Sequence, residues 1–384
     1  MGDVHGDDRV FSQLLHHLNL TSEIGGEIEF KQNDLLFIQT GDVLDRGPDG
    51  LKILKFLMKA IDKSNDRVDF LLGNHELMNL YGNFYYVHEN EYSSEYKNLL
   101  LDDQSPIRRF LLERNTVRLV DGVVYTHAGL LPFFIENDPN LMQNIQNPDM
   151  VVKLLNEKTV HLLKHGTRGF HTRSPKSLLG PKGPFWTRDL SDHEDCQSLY
   201  NTLDLLKANH MVVGHTIKDE VTILCHDKQR KKSLICIDTG MSNEYGGLPY
   251  AVKIVDGKTI YIYNSKTNDT TMIDLETNER FEISLLPSTS GFNIRMILTC
   301  LLATVLLLMT SFLCFSSKKQ LVRETDISTS RKCSTSSSPV MIPSPPTIQF
   351  KLDNEKKIQG SRKSIRYDFI NPQHFENGHL RKTL

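Results

Sequence analysis

Hydrophobic and polar positions alternate in two ways along the first 220 residues. Short apolar runs at 35–38, 68–72, 123–125 and 210–213 each end at a glycine or a polar residue. Runs of this length bounded by turn residues predict short buried strands. Between them, apolar residues recur three and four apart. Val10, Phe11, Leu14, Leu15 and Leu18 predict a first helix over 7–20, and 51–61 a second. The same spacing returns at 107–112 and 150–163. Segment 132–182 interrupts the alternation; its helix at 150–163 leads into a loop rich in glycine, proline and basic residues, placed to cap a site and shape substrate choice. From Val221 the pattern turns to strands alone, at 221–225, 233–237, 250–255 and 259–263.

The residues just past each apolar run carry the chemistry. The chain opens with Gly2-Asp3-Val4-His5-Gly6. Later come Gly41-Asp42-Val43-Leu44-Asp45-Arg46-Gly47, Gly73-Asn74-His75-Glu76, His127-Ala128-Gly129-Leu130 and Gly214-His215-Thr216. A strand that ends in a glycine and then a polar residue delivers that residue from its C-terminal end, where open α/β sheets hold their ligands. Glycine lets the backbone turn sharply and pass close to an ion or phosphate. Hydrolysing a phosphate ester at neutral pH requires an activated water, neutralised phosphate charge and a proton for the leaving oxygen. Two metal ions about 3.5–4 Å apart meet the first two needs together. Imidazole and carboxylate ligands suit Mn, Fe or Zn. His16, His17, His161, His165 and His193 sit outside these blocks and read as ordinary histidines.

The five blocks in this order resemble the calcineurin-like metallophosphoesterases and, within them, the phosphoprotein phosphatases. Leu72 to Leu80 and Ile237 to Ser242 bring the likeness nearest to the Shewanella-like protein phosphatases. The resemblance runs from Gly2 to about Tyr263 and implies an α/β/β/α sandwich of two sheets between helices. It implies that Asp3 and His5 bind one metal, that Asp42 bridges, and that Asn74, His127 and His215 complete the second. His75 would be the general acid, its ring held by Asp45. Arg46 would grip the phosphate through its planar fork of donors. A second phosphate-binding arginine is expected; Arg188 is the candidate, with Arg168 and Arg173 as rivals. Tyr245 is a candidate for the mouth of the site. Such enzymes carry a core strand before the first Gly-Asp, so the expectation here is a catalytic domain over 1–263 whose N-terminal strand is missing.

Charge is unevenly shared. From Lys318 onward thirteen Lys and Arg face six Asp and Glu, a net of +7 that leaves −9 for the rest of the chain. An acidic catalytic part argues against nucleic acid as a partner. The six cysteines show no spacing of a disulfide framework or zinc ribbon, and Cys236 reads as a buried, inert thiol. Met296 to Phe315 holds twenty residues without a charge, enough to span about 30 Å as a helix. The organisation expected after residue 263 is a linker at 264–293, a transmembrane helix at 294–317 and a basic, Ser/Pro-rich disordered tail at 318–384. Basic residues cluster on the tail side, so the tail is expected in the cytoplasm and the catalytic domain in a lumen or outside the cell, with the opposite orientation, which needs no missing signal peptide, as the alternative. Asn19-Leu20-Thr21 and Asn268-Asp269-Thr270 match the glycosylation sequon.

The function expected from all this is a membrane-anchored, two-metal phosphomonoesterase acting on phosphorylated protein, with a metal-bridging hydroxide as nucleophile. The alternatives are a hydrolase of diadenosine polyphosphate or polyphosphate, and an inactive membrane adaptor.

Overall fold

The computed structural model describes residues 1–24, 27–31, 35–165 and 174–283. The expected transmembrane helix at 294–317 and the tail at 318–384 lie outside them, as do Arg168 and Arg173. Among the described residues no helix is long and apolar enough to cross a membrane.

In chain order the first elements are α1 (Asp8–His17), the hairpin β1 (Thr21–Ile24) and β2 (Glu27–Phe30), β3 (Phe37–Gln39), α2 (Gly50–Lys63), β4 (Val68–Phe70) and α3 (Asn74–Leu80). There follow α4 (Ser94–Leu101), α5 (Pro106–Leu112), β5 (Val117–Val120), β6 (Val123–Thr126), α6 (Phe133–Glu136), α7 (Pro139–Gln143), α8 (Pro148–His165) and α9 (Cys196–Leu205). The strands β7 (His210–Val213), β8 (Thr222–Asp227), β9 (Lys232–Cys236), β10 (Tyr250–Val255), β11 (Thr259–Asn264), β12 (Asp269–Asp274) and β13 (Arg280–Ile283) complete it. The helix expected at 7–20 is shorter because Asp7 caps it, its carboxylate accepting from the Val10 N–H at 3.1 Å. Such a cap is worth about 1 kcal/mol. Val10, Phe11, Leu14 and Leu15 are the buried face of α1. Each contributes about 1.5–3 kcal/mol of burial.

Strands β3 and β4 pair in parallel. A five-stranded sheet runs β5-β6-β7-β9-β8, and a four-stranded antiparallel meander runs β10-β11-β12-β13. The central strands β6, β7 and β9 are buried on both faces, and their side chains divide by the period of two. Val124, Met211, Val213, Leu234 and Cys236 join the core shared with α6 to α9. Val123, Val212 and Ile235 point the other way, onto Ile260, Ile262 and Ile273 of the meander. A third core packs α1 to α5 on β3, β4, Ala251 and Tyr263. The order helix, sheet, sheet, helix matches the expected sandwich.

Two expectations need correction. The catalytic domain does not stop at 263: β12 and β13 occupy the first part of the expected linker at 264–293, because Ile273 and Leu275 belong to the inter-sheet core. The cysteines also hold a bond that their spacing did not reveal. Cys196, at the start of α9, is joined to Cys225 in β8, with Cα atoms 5.2 Å apart. Cys236 is free and buried as expected, and burial pushes its thiol up to about 12.

Candidate active site

The site forms where β3, β4, β6 and β7 end. Asp42 follows β3, Asn74 and His75 open α3 after β4, His127 follows β6 and His215 follows β7. Residues 1–6 run beside β3. The Met1 amino group donates to the Ile38 carbonyl at 2.9 Å. The N–H groups of Val4 and His5 donate to the Asp42 carbonyl at 3.2 and 3.0 Å. This ladder brings Asp3 and His5 to Asp42.

Two groups of potential ligands share Asp42. They are His5, Asp42, His75 and Asp42, His127, His215, and within each the ligand atoms lie within 4.8 Å of one another. Asp42 Oδ2 faces His127 Nε2 at 3.4 Å, His5 Nε2 at 3.7 Å and His75 Nε2 at 4.0 Å. Asn74 Oδ1 is 2.9 Å from His127 Nε2. Asp3 stands outside both groups but adjoins the second, its Oδ2 accepting from the His215 N–H at 3.0 Å. Its other oxygen, Oδ1, is buried without a hydrogen-bond partner.

These groups suit cations. His127 Nδ1 lies 2.9 Å from the Thr40 carbonyl, so that nitrogen is the donor. The Nε2 lone pair then confronts Asn74 Oδ1 and Asp42 Oδ2, an arrangement of acceptors that a metal resolves. Asp3, Asp42, Asp45, Glu76 and Asp238 are all at most 2% exposed. Burying several carboxylates together is costly without positive charge among them. Accordingly, burial and then Asp238 and Asp42 hold the Asp3 pKa well above the ordinary value. Burial raises Asp238 to about 6. Burial and the nearby His75 push His5 down to about 3, which leaves it neutral, the form that binds metal.

His75 is set apart by its second nitrogen. Its Nδ1 lies 2.6 Å from Asp45 Oδ2. Asp45 Oδ1 accepts from the Asn79 amide at 2.8 Å, and Tyr96 donates its hydroxyl to Asn79 at 3.0 Å. Burial alone would depress the His75 imidazole; Asp42 and Asp45 outweigh it and raise its pKa. Nε2 is left facing the ligand groups, where a proton can be handed over.

The backbone is strained where these side chains converge. His5, Asp42, Asp45, Arg46 and His215 adopt φ between +42° and +72°. Residues other than glycine rarely occupy that region, and surrounding contacts must hold them there. Glu76 supplies many of those contacts. Its carboxylate accepts the N–H groups of Asp42, Val43, Leu44 and Gly73 at 2.8–3.0 Å. Glycine is required at two close approaches: a Cβ at Gly73 would lie 2.2 Å from Asp42 Oδ1, and one at Gly214 2.2 Å from Asp3 Oδ1.

Arg46 flanks the His5 and His75 side. Arg188 lies on the His215 side, donating to Thr216 Oγ1 at 3.0 Å. The Tyr245 ring is 5.3 Å from His5 and 5.7 Å from the Arg46 guanidinium carbon. Glu76, Asn79, Tyr86, Tyr96 and Asp238 received no role from the sequence. Two of them had a local signal. Glu76 stands three residues after Gly73, the spacing of a helix-start cap, and Asn79 one turn after His75 on the same face.

A family model for calcineurin-like phosphoesterases matches residues 1–219. The chain belongs to this family. It is 28% identical to Shewanella-like protein phosphatase 1 of Plasmodium berghei, over 76% of this chain and 82% of the relative. A symmetrical bis(5'-nucleosyl)-tetraphosphatase of Buchnera aphidicola is also 28% identical, over 35% of this chain and 44% of that one. The fold matches a cold-active protein tyrosine phosphatase with a TM-score of 0.50 and 23% identity, covering 73% of this chain and 76% of the other. Calcineurin-like phosphoesterases use two metal ions, and this chain is a metal-dependent phosphoester hydrolase with His and Asp groups able to hold them.

Proposed function

We propose that the chain is a protein phosphatase that hydrolyses phosphomonoesters on side chains of phosphorylated proteins. The observation that carries the reading is the His75–Asp45 contact beside the cluster of His5, Asp42, His127 and His215. Asp3, His5, Asp42, Asn74, His127 and His215 would hold the metals, drawn from Mn, Fe or Zn. Bound there, the ions would supply an activated water and neutralise phosphate charge. Arg46 and Arg188 orient the phosphate from opposite sides. His75 donates its Nε2 proton to the departing oxygen, while Asp45 holds the ring and stabilises its charged form. The likeness over 82% of Shewanella-like protein phosphatase 1 supports a phosphoprotein substrate.

The test is hydrolysis of p-nitrophenyl phosphate by residues 1–291 with added Mn, beside Asp42→Asn. Turnover in the parent and none in the variant is expected, with metal content falling in parallel. Full activity in Asp42→Asn would sink the reading. The matching tetraphosphatase favours a second substrate, diadenosine tetraphosphate, over a shorter stretch. Faster turnover of that dinucleotide than of phosphopeptides would favour it.

We also propose a single membrane span at 294–317, with the catalytic domain on the lumenal or outer side. The Cys196–Cys225 bond supports this side, since disulfides persist in oxidising compartments.

A further inference from the structure

We infer that Tyr86 is a positioning residue for catalysis, the platform that fixes the phosphate-gripping guanidinium of Arg46. This rests on the phosphatase reading above. Arg46 has a long side chain and a backbone at φ +71°, so neither end is held by regular secondary structure. Both ends meet Tyr86. The Arg46 N–H donates to the Tyr86 carbonyl at 2.8 Å. The guanidinium carbon lies 3.8 Å from the centre of the Tyr86 ring. A guanidinium stacked on an aromatic face keeps its edge donors free, and in-plane donors are those that meet phosphate oxygens. Arg46 Nε is buried and finds no hydrogen-bond partner among the described residues.

The same ring also borders the proton donor, its centre 5.2 Å from that of His75. The loop that carries it is itself fastened. Phe84 packs edge-on against buried Tyr96, with ring centres 5.9 Å apart. Glu91 accepts the Leu51 N–H at 2.8 Å, which ties the loop to the helix that starts just after Arg46.

The test uses Tyr86→Leu, which removes the ring, and Tyr86→Phe, which keeps it. The readouts are kcat/KM on p-nitrophenyl phosphate and the inhibition constant of inorganic phosphate. Tyr86→Leu should lower kcat/KM about tenfold and weaken phosphate inhibition by a similar factor, with metal content retained. Tyr86→Phe should recover most of both. In an Arg46→Ala background, Tyr86→Leu should cost less than about twofold, because the guanidinium it positions is gone. The same tenfold loss in that background would overturn the inference, as would unchanged phosphate inhibition in Tyr86→Leu. If Tyr86→Leu fails to fold, Tyr86→Phe decides: a defect as large as that of Arg46→Ala rules out a role for the ring face. An inactive parent enzyme would instead count against the phosphatase reading itself.

Discussion

At the scale of single residues, the site separates groups that hold charge from groups that move a proton. His5 and His127 turn one ring nitrogen to a backbone carbonyl and the other to Asp42. His75 turns its Nδ1 to the Asp45 carboxylate instead. A carboxylate partner favours the protonated ring, which suits a proton donor. His75→Asn should therefore keep both metals yet slow turnover by about 10²–10⁴ on substrates with poor leaving groups. Metal analysis beside steady-state rates on an alkyl phosphate checks this. Loss of metal along with activity would make His75 a ligand and undo the division of labour.

Among elements, the strands supply direction and the loops supply chemistry. Parallel pairing of β3 with β4, and of β6 with β7, brings the two strands of each pair to their ends on the same side. The residues just past those ends meet even though 173 positions separate Asp42 from His215. The loop that carries Tyr86 depends on Glu91, whose carboxyl burial raises to about 7. A raised carboxyl pKa means that the folded protein binds this proton more tightly than the unfolded chain. The Glu91 contribution is thus favourable at low pH and fades as pH climbs from about 4.5 to 7. Glu91→Gln should flatten the fall in stability across that window, read as the difference between the two proteins in urea melts at pH 5 and 7. Parallel pH profiles would show that Glu91 does not titrate there.

For the whole molecule, the disulfide pins a helix to the edge strand of the five-stranded sheet. It joins positions 29 apart, from the start of α9 to β8. Closing such a loop stabilises by about 2–4 kcal/mol. The double variant Cys196→Ser, Cys225→Ser should unfold at lower urea by that amount, and reductant should destabilise only the parent. Equal stability with and without reductant would mean that the bond does not form. The proposed topology is tested on the full chain in cells, with an epitope after Leu384. Selective permeabilisation of the plasma membrane should expose the epitope, while the catalytic domain is either accessible already on intact cells or protected until detergent is added. The reverse pattern would place the catalytic domain in the cytoplasm.

Much of this was legible along the chain because it is local. Helices α1, α2 and α8 follow from apolar spacing, and the strands that carry Asp42, His75, His127 and His215 follow from short apolar runs that stop at glycine or a polar residue. The residue types in the five blocks narrow the chemistry to metal and phosphate before any contact is known. What local pattern cannot contain is which distant groups meet. Tyr86 under Arg46, Glu76 across four backbone N–H groups, Cys196 opposite Cys225 and β12 closing the inter-sheet core are contacts between segments far apart or in irregular loops. The chain alone determined which side chains could do this chemistry. Tertiary packing decided their support, because the orientation of a guanidinium or an imidazole depends on whichever surface folding brings against it.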